Sequence, residues 1–133
     1  MKRAVLADTG PLYAAVDPSD THHPRAKREL KVLGRDRYEV LVAYPTLGEA
    51  YTLVLQRLGK KTASKWLEEI LGGVSLINPL PSDYHEAARR LREFADQPIT
   101  LFDATIAVLG MRLGIEIWTY DHHFDLLGNP VWR

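Results

Sequence analysis

The chain contains no cysteine, which excludes disulfides, thiolate zinc sites and cysteine nucleophiles and suits a reducing cytoplasm. No stretch approaches the roughly 20 apolar residues of a membrane span. The N-terminal apolar run, Ala4-Val5-Leu6-Ala7, is too short for the apolar region of a signal peptide. The expectation is a cytoplasmic protein with no membrane partner. Internal repeats, low-complexity segments and long linkers are also lacking, so the 133 residues are expected to form one domain, 1–133, with one core. Net charge is absent too, but it hides a division. Residues 1–66 carry 12 Lys/Arg against 7 Asp/Glu, and residues 67–133 carry 5 against 10. The basic half can touch phosphates, although any single Lys or Arg on it is ordinarily a solvated helix face.

What is present is an alternation of short apolar runs with helical spacing. Residues 3–7, 39–43, 74–78 and 115–119 read as buried strands, and 129–132 as a short edge strand. Between them, Pro and Gly punctuate helices. One runs from Gly10-Pro11 to about Val16, and one over 21–33 ends at Gly34. Another opens at Pro45 and closes at Gly59, and a fourth covers 61–71 before Gly72-Gly73. The last two span 83–95, with Ser82 as N-cap, and 101–113, with Thr100 as N-cap and Gly114 as stop. This order predicts an α/β fold, a three-layer α/β/α sandwich with a central, mainly parallel sheet of four to five strands. In such sheets ligands bind outside the carboxyl ends of the strands.

Four acids stand in apolar surroundings. Asp8 and Asp121 follow the first and fourth strand-like runs, Asp103 interrupts the apolar stretch Ile99 to Met111, and Glu49 lies among Leu47, Ala50, Tyr51, Leu53 and Val54. Each has an ordinary structural reading. Asp8 fits a helix cap, Thr46-x-x-Glu49 and Thr100-x-x-Asp103 have capping-box spacing, and Asp121 fits a turn. Taken together they read differently. Carboxylates gathered at one sheet edge repel one another unless a cation sits among them, and oxygen-rich pockets suit Mg²⁺ or Mn²⁺.

The segments Val-Leu-Ala-Asp8-Thr9-Gly-Pro-Leu, Thr46-Leu-Gly-Glu49-Ala, Leu101-Phe-Asp103-Ala-Thr-Ile-Ala and Trp118-Thr119-Tyr-Asp121-His-His-Phe124 resemble, in order and spacing, the acidic motifs of the PIN domain. The likeness covers essentially the whole chain and is to the VapC-type toxins of toxin–antitoxin pairs in particular. Asp17, Asp20 and His22, ahead of a basic helix, fit the loop after the first motif. One position departs from the pattern. A further acid often stands two residues after the last aspartate, and here that residue is His123. Asp125 would share a face with Asp121 and His123 only if the chain stays extended.

The resemblance implies a divalent-metal-dependent ribonuclease. Asp8, Asp103 and Asp121 would bind Mg²⁺ or Mn²⁺, and Glu49 would orient a water or act as general base. Thr9 and Thr119 would hydrogen-bond the carboxylates, and His123 would be a ligand, a proton shuttle or an RNA contact. RNA would be drawn by Arg25, Lys27, Arg28 and Lys31, and by Arg57, Lys60, Lys61 and Lys65. Tyr51 and Trp66 would stack on bases if they are not core. An antitoxin and a second copy of the chain are the implied protein partners, with Tyr13, Leu47 and Tyr51 as surface candidates. The alternative is a PIN-like binding module that does not cut. Two Mg²⁺ phosphotransfer readings that would use Asp8 as nucleophile fail on the sequence: position 10 is Gly where a haloacid-dehalogenase-type site needs a second Asp, and no Lys follows Lys65, as a response regulator requires.

Overall fold

In the computed structural model, which describes residues 3–133, four strands form one sheet: β1 (Arg3–Ala7), β2 (Tyr38–Ala43), β3 (Ser75–Ile77) and β4 (Glu116–Trp118). Residue 1, where the expected domain begins, lies outside the described residues. The strand order is β3-β2-β1-β4 and every pairing is parallel. The expected strand over 129–132 shrinks to one bridge between Val131 and Ile117. The Pro130 carbonyl accepts from Ile117 N at 3.0 Å and Trp132 N donates to the Ile117 carbonyl at 2.9 Å, and Pro130 has no N–H of its own to extend the ladder.

Seven helices cover the sheet: α1 (Thr9–Ala14), α2 (His23–Arg35), α3 (Tyr44–Leu58), α4 (Lys60–Gly73), α5 (Pro81–Glu93), α6 (Leu101–Leu113) and α7 (His123–Leu126). Alternation along the strands assigns them to faces. Val5, Ala7, Val42 and Trp118 pack with Leu12, Leu33, Val54 and Trp66, so α1–α4 lie on one face. Leu6, Ala43 and Ile117 pack with Ala87, Leu109 and Phe124, so α5–α7 lie on the other. The result is the three-layer sandwich that the sequence predicts.

Several boundaries move for local reasons. α2 runs through Gly34 to Arg35, because the left-handed turn that ends it falls on Arg37, φ 58°, and not on the glycine. α5 is capped at Leu80 and not Ser82: Pro81 supplies the first turn and the Asp83 carboxylate accepts the Leu80 N–H at 2.7 Å. Thr100 does cap α6, accepting Asp103 N at 3.1 Å, and Gly114 closes it with φ 68°. α6 is buried from Ala104 to Gly110, and Gly110 lets it press on β4; a Cβ at that position would stand 2.5 Å from Ile117 Cδ1.

This topology creates the crevice that matters. The chain steps outward from β1 to β2 to β3, then returns to lay β4 against the free side of β1. Strand order therefore reverses between β1 and β4, where connections leaving the carboxyl ends diverge. No helix among the described residues is long and apolar enough to cross a membrane.

Candidate active site

Asp8 is the first residue beyond β1 and Thr119 the first beyond β4, so the two meet at the mouth of the crevice. The Asp8 N–H donates to the Trp118 carbonyl at 2.9 Å, continuing the ladder by one rung. The Thr119 hydroxyl then donates to Asp8 Oδ2 at 2.8 Å and accepts the Asp121 N–H at 3.0 Å. One threonine thus fixes two of the four acids. Asp121 Oδ1 accepts the N–H of His123 at 2.9 Å, which turns the chain into α7.

Asp103 enters from the first turn of α6. The His123 Nδ1 lies 3.4 Å from Asp103 Oδ2 and 3.3 Å from Asp121 Oδ1, so one imidazole bridges the two carboxylates. Glu49 comes from the second turn of α3, where the Thr9 hydroxyl donates to its Oε1. Its capping-box reading fails because α3 begins at Tyr44, which places Thr46 inside the helix.

Charge is crowded here. Asp8 is only 9% exposed. Burial pushes its carboxyl from 3.8 up to about 6; the Thr119 hydroxyl and the Thr9 N–H pull it down, and the Asp103 and Asp121 charges push it further up. The three aspartates therefore feel one another. The donor set, carboxylate oxygens with an imidazole beside them, fits a hard divalent cation such as Mg²⁺ or Mn²⁺. The tightest knot of ligand atoms among the described residues is Asp121, His122 and His123, all within 4.8 Å of one another; Asp8 and Asp103 stand outside it.

The PIN domain family model matches residues 5–129. This chain belongs to the PIN domain family. Similar solved structures agree on the fold. VapC20 of Mycobacterium tuberculosis, described as a toxin that cleaves the sarcin–ricin loop, superposes with a TM-score of 0.84 at 23% identity, over 97% of this chain and 98% of that one. VapBC2 of Rickettsia felis, bound to a DNA fragment from its promoter, gives 0.76 at 16% identity, over 98% and 97%. FitAcB of Neisseria gonorrhoeae gives 0.70 at 18%, over 97% and 96%. No curated protein matches the chain in sequence.

Within this PIN domain the other expected residues scatter. Asp125 turns away with α7 and pairs with Arg133 at 3.2 Å, because Phe124 and Leu127, three residues apart, both seek the core and impose a helical turn. Arg25 stacks on Tyr120, the residue between Thr119 and Asp121, and pairs with Glu29, while Arg28 is exposed on α2. Lys60 approaches Tyr51, its Nζ 3.2 Å from the hydroxyl. Lys61 joins Lys27 and Lys65 along a groove of about 740 Å³ between α1, α2 and α4. Tyr13, Leu47 and Trp66 are core residues and Tyr51 packs half-buried against them, so none of the four is an open stacking or docking surface.

Two residues carry weight that the sequence reading passed over. Glu29 Oε1 accepts from both the Trp118 indole, at 3.1 Å, and the Tyr120 hydroxyl. In the sequence Glu29 shows only as the helical partner of Arg25, and Tyr120 only as filler between Thr119 and Asp121. Their value comes from the pairing of β4 beside β1, which no local spacing reveals.

Proposed function

We propose that this PIN domain is a divalent-metal-dependent ribonuclease, the toxin of a toxin–antitoxin pair acting in the cytoplasm. The observation that carries this reading is the buried Asp8 carboxyl, held near Asp103 and Asp121 with its affinity for a proton raised. Such a site is short of positive charge, and Mg²⁺ or Mn²⁺ supplies it. When bound, the cation lowers the pKa of water and neutralises phosphate oxygens.

The chain's own residues do the rest. Asp8, Asp103 and Asp121 would hold the cation, with His123 between Asp103 and Asp121. Thr119 keeps Asp8 facing the crevice while tethering the Asp121 backbone. Glu49, restrained by Thr9, orients the attacking water and takes its proton. The likeness to proteins solved with antitoxins supports an antitoxin partner. The groove between α1, α2 and α4 suits one: Val16, Leu30 and Ile70 offer it an accessible apolar floor, and Lys27, Lys61 and Lys65 on its walls favour an apolar segment with acidic neighbours. A second copy of the chain is the other protein partner in this reading.

Purified cellular RNA incubated with the protein and Mg²⁺ or Mn²⁺ should be cut, and chelator or Asp8→Asn should abolish cutting. Equal cutting by the Asn variant would refute the role of Asp8. A folded protein that binds the metal and never cuts would point instead to a binding module.

A further inference from the structure

We propose that His22, Arg25 and Tyr120 form a stacking platform for one unpaired nucleobase of the substrate, beside the acids. This rests on the ribonuclease reading and adds how the RNA is gripped. Tyr120 lies between Thr119, which holds Asp8, and Asp121, and its ring rests against Gly10, where a Cβ would stand 3.9 Å from Cδ2. The His22 ring sits 4.7 Å from it, centroid to centroid, tilted by 32°. The Arg25 guanidinium lies over it at 4.3 Å. Three flat groups, one of them cationic, are thereby assembled around the residue that separates Thr119 from Asp121.

The assembly is fixed from beneath. Glu29 takes the Tyr120 hydroxyl and the Trp118 indole on one oxygen and Arg25 Nε, at 3.3 Å, on the other. Trp118 is fully buried, so this carboxylate ties the stack to the core. The loop that carries His22 is pinned by its backbone N–H, which donates to Asp20 Oδ1 at 2.8 Å. Yet the outer members remain in water: the His22 side chain is 48% exposed and that of Arg25 40%. A stack built for packing would bury them. Here the ordering entropy is spent on folding, leaving a rigid π-surface with a positive charge.

The electrostatics of the site call for such a surface. Four acids repel the phosphate backbone they must cut. A base offers an uncharged face, and stacking on aromatic and guanidinium planes holds it without regard to sequence. A base on His22 or Arg25 would carry its phosphodiester toward Asp8 and Asp121.

The test uses an Asp8→Asn background, which prevents turnover, and fluorescent single-stranded RNA of mixed sequence, intact or abasic. His22→Ala and Arg25→Lys should each weaken binding of intact RNA by about tenfold and change binding of abasic RNA little. Arg25→Lys keeps the charge and removes the plane, so it separates stacking from attraction to phosphate. Arg28→Ala, a change on the exposed surface of α2, should weaken both RNAs alike. Losses at positions 22 and 25 that are equal for the two RNAs, or no losses, overturn the platform. Cleavage by the otherwise native chain is followed in parallel. Normal cutting with no stacking effect refutes the platform alone, whereas neither RNA binding nor cutting by the parent refutes the ribonuclease reading with it.

Discussion

Replacing Asp8 by Asn should make the metal-free protein more stable at neutral pH, even though it disarms the site. The folded state carries this carboxyl at about 6 instead of 3.8, so it holds the proton more tightly than the unfolded chain does. A raised folded value in an acid means a cost to ionisation in the fold. The cost is absent below 3.8, grows between the two values and is fully present above about 6. At about 1.4 kcal/mol for each tenfold change in proton affinity, it reaches about 3 kcal/mol at pH 7, falling to about 1.5 at pH 5 and about 0.5 at pH 4. Asn keeps an acceptor for the Thr119 hydroxyl but brings an NH₂ that needs partners, so about 3 kcal/mol is a ceiling. Urea unfolding at one protein concentration in chelator, at these three pH values, reads the difference directly. The Asn variant should be the more stable at pH 7 and the gap should close toward pH 4. Adding Mg²⁺ should then stabilise the parent and not the variant. A variant less stable at pH 7, or a gap indifferent to pH, would refute the picture of Asp8 as a strained, cation-seeking carboxylate.

Two further changes probe the scaffold. Arg112→Ala removes both guanidinium bonds, 2.8 Å each, from the buried Asp83 carboxylate that caps α5, and should cost about 3 kcal/mol by urea unfolding. Arg112 holds Asp83 below the usual carboxylate range, so the parent loses this stability only as pH falls through that lowered value, and the gap between parent and variant should close there. Gly110→Ala drives a methyl into Ile117 and should cost about 1–3 kcal/mol in the same assay, with Ile117→Val recovering part of it by removing Cδ1; additive losses would refute the clash.

Much of the scaffold was legible because its signals are local. The four apolar runs became the four strands, and Thr100 and Gly114 bound α6 as their chemistry requires. What escaped depended on partners distant in sequence. Ser82 is as good a cap as any until Asp83 finds Arg112 on α6 and reaches back to Leu80. The run His122 to Leu127 satisfies strand and helix alike until Phe124 and Leu127 meet the second core cluster. At the site, spacing brought Asp8, Asp103 and Asp121 within reach of one another, and the structure does place His123 between two of them. Spacing could not foresee that Thr9 would serve Glu49 while Thr119, from the far end of the fold, would serve Asp8. Nor could it show that Tyr13, Leu47 and Trp66 would vanish into the core, since helical periodicity does not say how many layers will cover a face.

The bond between Thr119 and Asp8 joins residues 111 apart in the chain. On a translating ribosome, at about 5–20 residues per second, the first acid therefore waits on the order of 5–20 s for the residue that orients it. Throughout that interval the growing chain lacks the bond that orients Asp8. The three helices that wall the groove, all within residues 9–73, emerge well before β4 exists. The walls of the groove are thus made before the first acid is set in place, and the order of synthesis puts the scaffold ahead of the site.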